Sequence, residues 1–135
     1  MRGLLIGLAF VLIALPACAQ KSDTELNGEW QGAYSYSDSR APVNFILEAT
    51  IVKDRISGTI SEPNTFGSSG VAFLHANIAG TIEDGVVRFT KTYDGTGGQS
   101  HSIQYEGVLD PLRLQISGTW RISSMVGQFA MTRAR

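Results

Sequence analysis

A chain of 135 residues with 11 basic and 12 acidic side chains has room for one domain and carries almost no net charge. It contains no basic run, which argues against nucleic acid or anionic lipid as a partner. Its one cysteine, Cys18, excludes an internal disulfide, and its two histidines have no metal-ligand spacing, so we expect no metal and no cofactor.

The N-terminal residues 1–19 have the layout of a secretory signal peptide, with Arg2 followed by an apolar run and then small residues. Two ways of processing fit the same site. Cleavage after Ala19 would release a secreted or periplasmic protein, whereas cleavage before Cys18 would leave a lipidated, membrane-tethered lipoprotein. We therefore predict an exported protein, attached to a membrane only if Cys18 is lipidated.

After a short flexible segment, 20–27, the hydrophobic pattern has a period of two, which is typical of half-buried strands. Short connections between the strands predict antiparallel hairpins, and closure into a barrel would remove the two exposed sheet edges. We predict an all-β domain over 28–135, an eight-stranded antiparallel up-and-down β-barrel, with an open β-sandwich as the alternative. The predicted strands are 28–36, 42–52, 55–61, 71–82, 86–93, 100–109, 112–122 and 125–133.

Three of these strands repeat one pattern, "ISGTI" at 56–60, "IAGTI" at 78–82 and "ISGTW" at 116–120. In each, a glycine lies between two apolar residues that share its face. Glycine inside a strand usually marks a bend or a close approach of another backbone. We interpret Gly58, Gly80 and Gly118 as inward positions that let the strands coil and that leave room for large neighbours.

The first strand begins with Gly28-Glu29-Trp30, which resembles the G-x-W signature of calycin barrels, the group that contains lipocalins, fatty-acid-binding proteins and avidins. The resemblance implies that a basic residue near the C-terminus lies across the tryptophan. Arg133 matches that role, with Arg135 as a second candidate. The chain does not match the set of avidin residues that contact biotin, so biotin is not implied.

The predicted connections differ in length at the two ends of the barrel. The longer ones, 37–42, 62–70 and 94–100, all fall at one end, where they would form a flexible rim, and the tight turns fall at the other end. Inward aromatic and polar residues near the rim, above an apolar floor, are typical of a small-molecule site. The candidate ligand-binding residues are Tyr34, Tyr36, Lys91, Tyr93, His101, Tyr105 and Trp120.

Lys91 is the most informative of these residues, because a charge that points into a barrel must be paired or solvated. It could bind the acidic head of a ligand. It could instead be structural, and reach the rim or pair with Asp94 or Glu106. At the opposite end, Leu112 belongs to the predicted apolar floor.

Two functions of different classes fit this pattern. The first is a binding protein that holds a small, partly apolar ligand under the rim loops, and the second is an envelope interaction or inhibitor protein whose filled barrel binds a protein partner through the same loops. No catalytic set stands out, although His101 or Lys91 could serve as a base in an enzyme. A ligand carrier needs an interior cavity of about 300 Å³ or more, so interior space distinguishes the first two hypotheses. The sequence leaves the oligomeric state open.

Overall fold

The structure is a computed structural model that describes residues 11, 13–14, 23–67 and 69–134. The predicted signal peptide lies outside the described residues except at positions 11, 13 and 14, and Cys18 and Arg135 lie outside them as well. The eight strands are β1 (Gly28–Tyr36), β2 (Val43–Val52), β3 (Arg55–Pro63), β4 (Phe73–Glu83), β5 (Val86–Tyr93), β6 (Ser102–Leu109), β7 (Gln115–Ile122) and β8 (Met125–Arg133). Two short 3-10 helices cover Asp23–Leu26 and Thr96–Gly98.

The strands form one closed sheet. Each strand pairs antiparallel with the next along the chain, and β8 returns to β1 in a register that runs from Trp30 opposite Arg133 to Tyr36 opposite Gly127. The prediction of an eight-stranded antiparallel up-and-down barrel is confirmed, and the open sandwich is wrong. Closure leaves no strand edge of the barrel unpaired.

The alternation of apolar and polar residues in the sequence separates side chains that point into the barrel from side chains on its outer surface. Along β2 the residues from Val43 to Val52 are buried and exposed in strict alternation, and the buried set fills the barrel. Leu112 departs from the prediction, because it is 76% exposed and β7 begins only at Gln115. The Asp110 carboxylate accepts hydrogen bonds from the backbone N–H groups of Leu114 and Gln115, which closes a turn over 110–114 where the prediction had a strand.

The repeated glycines lie where another strand comes close. A Cβ atom built at Gly58, Gly80 or Gly118 would lie 2.2, 1.9 or 2.0 Å from a carbonyl oxygen of the neighbouring strand. A Cβ atom at Gly127 would lie 2.3 Å from the indole of Trp120. These four glycines therefore have no room for a side chain. At Gly58, Gly80 and Gly118 the reason is the close approach of another strand, as predicted, and at Gly127 the ring of Trp120 takes up the space.

The two ends of the barrel differ as predicted. The connections 37–42, 64–72 and 94–101 lie at one end, which we call the rim, together with the tight turn at 123–124. Turns at 53–54, 84–85 and 110–114 lie at the other end. The loop after β3 starts two residues later than predicted, because β3 continues through Glu62 and Pro63. As a result Glu62 belongs to a strand, and its side chain is buried inside the barrel.

The end opposite the rim is covered by the 3-10 helix Asp23–Leu26, which occupies part of the segment 20–27 predicted to be flexible. Leu26 is buried, and its carbonyl oxygen accepts a hydrogen bond of 2.9 Å from the indole N–H of Trp30. Arg113 forms ion pairs with the two acidic side chains of this helix. The helix therefore closes the floor of the barrel.

The residues of the G-x-W signature meet at this floor. Gly28 has a φ of 111°, a conformation that side chains rarely adopt. Trp30 is buried, and Arg133 lies opposite it in the register of β1 and β8. The guanidinium of Arg133 donates a hydrogen bond to the backbone carbonyl of Glu25. The arrangement is consistent with a calycin-like barrel.

Candidate functional site

A cavity of about 140 Å³ lies under the rim. It is lined by all seven residues predicted as ligand-binding, which the structure brings together from β1, β5, β6, β7 and the end of the loop before β6. Their role in binding stays a prediction. Five further side chains complete the lining: Arg40, Phe66, Ile103, Ile122 and Met125.

Three of the lining side chains, Lys91, Tyr34 and Tyr93, form a closed hydrogen-bonded group with Glu62, and we call these four residues the tetrad. The Lys91 ammonium forms an ion pair with Oε1 of Glu62 and donates to the Tyr93 hydroxyl at 3.1 Å. Oε2 of Glu62 accepts from the hydroxyls of Tyr34 at 2.6 Å and Tyr93 at 3.1 Å. Both charged side chains are at most 1% exposed. Each charge therefore has a partner inside the barrel.

The partner of Lys91 corrects a prediction. Neither Asp94 nor Glu106 pairs with it: Asp94 accepts from the backbone N–H of Thr96 at 2.9 Å, and Glu106 forms an exposed ion pair on the outer surface. The partner is Glu62, which the sequence analysis had placed in a loop. The period of two through Ile60 continues to Glu62, and that signal could have found it.

Burial shifts the pKa of three side chains of the tetrad, Lys91, Tyr34 and Tyr93. It lowers the pKa of Lys91, and the negative charge of Glu62 opposes that change. Burial also raises the pKa of Tyr34 and Tyr93 well above 10, and the nearby Glu62 carboxylate raises both further. Both hydroxyls therefore keep their protons and donate to the carboxylate. The lysine and the glutamate cancel each other's charge under the cavity.

Three polar side chains of the lining have no hydrogen-bond partner among the residues that the structure describes: Tyr36, His101 and Tyr105. Tyr105 is only 5% exposed. No fully buried side-chain nitrogen or oxygen of the described residues lacks a partner, so the Tyr105 hydroxyl oxygen must open onto the cavity. Burial raises the pKa of Tyr105 well above 10, which keeps the hydroxyl protonated and able to donate.

His101 lies at the edge of the cavity beside Tyr93, with 4.7 Å between the ring centroids. Burial lowers the pKa of His101, and the positive charge of Lys91 lowers it further. Since an unperturbed histidine already titrates near pH 6.5, the imidazole is neutral at pH 7. It can then donate one hydrogen bond and accept another.

Two rim loops each contribute one side chain to the lining of the cavity. From 37–42, the Arg40 guanidinium lies 3.7 Å from the centroid of the Tyr36 ring, and it pairs with Asp38 at 2.7 Å. Hydrogen bonds from Arg40 lower the pKa of Asp38 to about 2. From 64–72, Phe66 places its ring edge-on to Tyr93. Sequence reasoning missed Arg40 and Phe66, because loops have no periodicity that shows where a side chain points.

The loop that carries Phe66 is held by one side chain. The Asn64 amide donates to the Ser69 hydroxyl at 3.0 Å and to the Val71 carbonyl at 2.9 Å, while its oxygen accepts from the Phe66 backbone N–H at 3.0 Å. These bonds fold the loop back on itself and hold its backbone beside the cavity. This loop is therefore partly preorganised.

In the described part of the chain, no group of three or more His, Cys, Asp or Glu side chains is placed to hold a metal ion. Across 11, 13–14, 23–67 and 69–134, no helix is long and apolar enough to cross a membrane. What the cavity offers is aromatic surface, neutral hydrogen-bonding groups and a compensated ion pair.

Comparison of the chain with protein-family models, with curated proteins and with solved structures finds no match.

Proposed function

We propose that this protein is an exported, calycin-like barrel of the lipocalin and avidin kind that binds one small, partly apolar molecule in the cavity under its rim. The observation that carries the proposal is the cavity itself, where aromatic rings converge with the Tyr105 hydroxyl, which has no partner among the described residues. Apolar walls with a few convergent polar groups are the usual composition of a small-molecule site. The export signal of residues 1–19 supports a periplasmic, secreted or lipid-tethered location.

The volume of the cavity limits what this ligand can be. About 140 Å³ is half of the ~300 Å³ at which ordinary ligand sites begin. An apolar cavity of about 150 Å³ holds one benzene molecule. The middle of the barrel is filled by the tetrad and by stacked rings such as Phe89 and Tyr105, whose centroids are 4.9 Å apart. This volume is too small to enclose a long-chain fatty acid or a tetrapyrrole, so we propose a ligand of single-ring size.

The second candidate is an envelope interaction or inhibitor protein, and one observation favours it. The loop 64–72 and the start of β4 expose apolar side chains, with Phe66 at 42% and Phe73 at 55% exposure. Exposed apolar side chains that cluster on one side of a filled barrel are suited to contact with another protein. In this case the cavity would be a packing defect beneath the contact surface.

Native mass spectrometry of the full-length product from an exporting bacterial host tests the first candidate. We expect a non-covalent mass of single-ring size that is lost on denaturation. The variant Ile122→Trp places a larger side chain in the cavity and should lose this mass. Ile46→Trp makes the same change on the outer face, where Ile46 is 46% exposed, and should retain it.

A bare protein that also fails to bind a panel of single-ring compounds would contradict this proposal. Binding of an envelope protein that is lost in both Phe66→Ser and Phe73→Ser, but kept in Ile122→Trp, would then support the second candidate. The covalent mass of the same sample also reports on processing. It would begin at Gln20 after simple secretion, or carry a lipid on Cys18.

A further inference from the structure

The charges around the cavity are already compensated. Lys91 is paired with Glu62, Arg40 is paired with Asp38, and His101 is neutral at pH 7. A charged ligand group in this cavity would find no free counter-ion among the described lining residues. Burying a charge without a partner is costly. The electrostatics therefore favour a neutral ligand.

The walls of the cavity are rings in edge-to-face contact. Tyr36 and Trp120 meet with centroids 5.2 Å apart and planes at 81°, and Tyr34 meets Tyr36 at 5.9 Å and 70°. On the other side, Phe66 meets His101 at 5.6 Å and 82°. Rings that already contact one another in this way present both faces and edges to the space between them, and a further planar ring can stack or meet them edge-on.

Of the three polar lining side chains without a partner among the described residues, Tyr105 is the one that is buried. The Tyr105 hydroxyl is held deep in the barrel by the stacking of its ring on Phe89 and by an edge contact of 5.0 Å with Phe129. It has no partner among the described residues, and its proton is retained at all physiological pH values. A buried hydroxyl without a hydrogen-bond partner costs free energy, and a hydrogen bond to an acceptor on a ligand would recover it.

We propose that the ligand is a neutral molecule with a single aromatic ring and an oxygen acceptor, and that the acceptor takes a hydrogen bond from the Tyr105 hydroxyl. This inference rests on the proposed function and narrows it from a small, partly apolar molecule to one chemical class. Tyr105 is the residue that selects for the acceptor. The aromatic walls select for the ring, and the paired charges select against ions.

Four single-ring probes test the inference on the mature protein at pH 7: benzaldehyde, styrene, benzoate and benzylammonium. Benzaldehyde and styrene have nearly the same shape, but only benzaldehyde has an oxygen acceptor. Isothermal titration calorimetry and ligand-observed NMR measure the affinities, and an intact mass shows that benzaldehyde has formed no imine. We expect benzaldehyde to bind about tenfold more tightly than styrene, the range for one buried hydrogen bond. Both ions should bind at least tenfold more weakly than benzaldehyde.

The variant Tyr105→Phe removes the hydroxyl and leaves the ring in place. It should lower the affinity for benzaldehyde to that for styrene, and leave the affinity for styrene unchanged. Thr90→Val is the control, since it removes a hydroxyl that bonds Gln104 on the outer surface of the barrel. It should keep the preference for benzaldehyde. Circular dichroism shows that each variant is folded.

The outcomes separate this inference from the proposed function. Equal affinity of the unmodified protein for benzaldehyde and styrene would show that the ligand needs no oxygen acceptor. Tightest binding of benzoate or benzylammonium would show that the ligand is not neutral. In both cases the proposed binding function would stand. If no probe binds but native mass spectrometry shows another bound small molecule, the single-ring class is wrong and the binding function stands. If no probe binds and the protein is bare, both fail.

Discussion

Replacing Glu62 by glutamine removes the negative charge from the tetrad and keeps the size of the side chain. Lys91 then has a buried ammonium group with no counter-ion, and the hydroxyls of Tyr34 and Tyr93 keep only a neutral acceptor. Breaking a buried ion pair by removing one partner costs about 3–5 kcal/mol. We expect the free energy of unfolding of Glu62→Gln to fall by this amount.

The upper limit of this loss follows from the lysine itself. The folded variant can instead release the proton of Lys91. The ordinary lysine pKa of 10.5 lies about 3.5 units above pH 7, so releasing this proton at pH 7 costs about 5 kcal/mol at ~1.4 kcal/mol per unit. The unfolded chain then binds one more proton than the folded chain. The stability of Glu62→Gln should therefore rise by up to about 1.4 kcal/mol per pH unit between pH 7 and 10.

Urea unfolding followed by tryptophan fluorescence measures these values, and a thermal melt should show a fall of about 12–20 °C at ~4 °C per kcal/mol. The double variant Glu62→Gln with Lys91→Met removes both charges. It should be more stable than Glu62→Gln alone, with a coupling energy of about 2 kcal/mol or more. A cost below ~1 kcal/mol for Glu62→Gln, together with an unchanged pH slope, would show that the reasoning about the buried pair is wrong.

Two further predictions concern the core and the floor. Burial raises the pKa of Tyr34, Tyr93 and Tyr105 above the ordinary value of 10, so unfolding releases their protons above pH 10. The free energy of unfolding should therefore fall above pH 10 by up to about 4 kcal/mol per pH unit. Urea titrations at pH 10 and 11 measure this slope, and a slope below that expected for one proton would refute the prediction. Leu26→Ala should cost about 2–5 kcal/mol because Leu26 is buried in the floor, whereas Leu112→Ala should change stability by less than ~0.5 kcal/mol. Equal effects of the two leucine variants in the same urea titration would contradict the assignment of the 3-10 helix as the floor of the barrel.

Much of the fold could be predicted from local pattern. A period of two shows which side chains share a face, short connections impose antiparallel neighbours, and the repeated inward glycines mark close approaches of strands. These signals predicted the strands, the rim and seven of the twelve residues that line the cavity, and the structure decided between the closed barrel and the open sandwich. The local pattern failed at Leu112, because a side-chain cap at Asp110 made a turn from residues that alternate like a strand.

The signal peptide, the processing at Cys18 and the binding role of the seven residues stay predictions. The signal-peptide prediction rests on composition alone, on a charged start followed by an apolar run and small residues. The structure adds a location for the seven predicted residues and a volume for the space between them, and this volume narrows the size of the proposed ligand.

By itself, the sequence determined that the chain is built of half-buried strands with antiparallel neighbours, since alternation is a local property that every strand carries in its own residues. Only the tertiary structure decided what lies inside. Glu62 and Lys91 are 29 residues apart and lie on β3 and β5, which are not neighbours in the sheet. Their side chains meet across the interior, and periodicity reports the face of a residue without its depth or its partner. The pairing of the charges, the unpartnered hydroxyl of Tyr105 and the size of the cavity all depend on that closure.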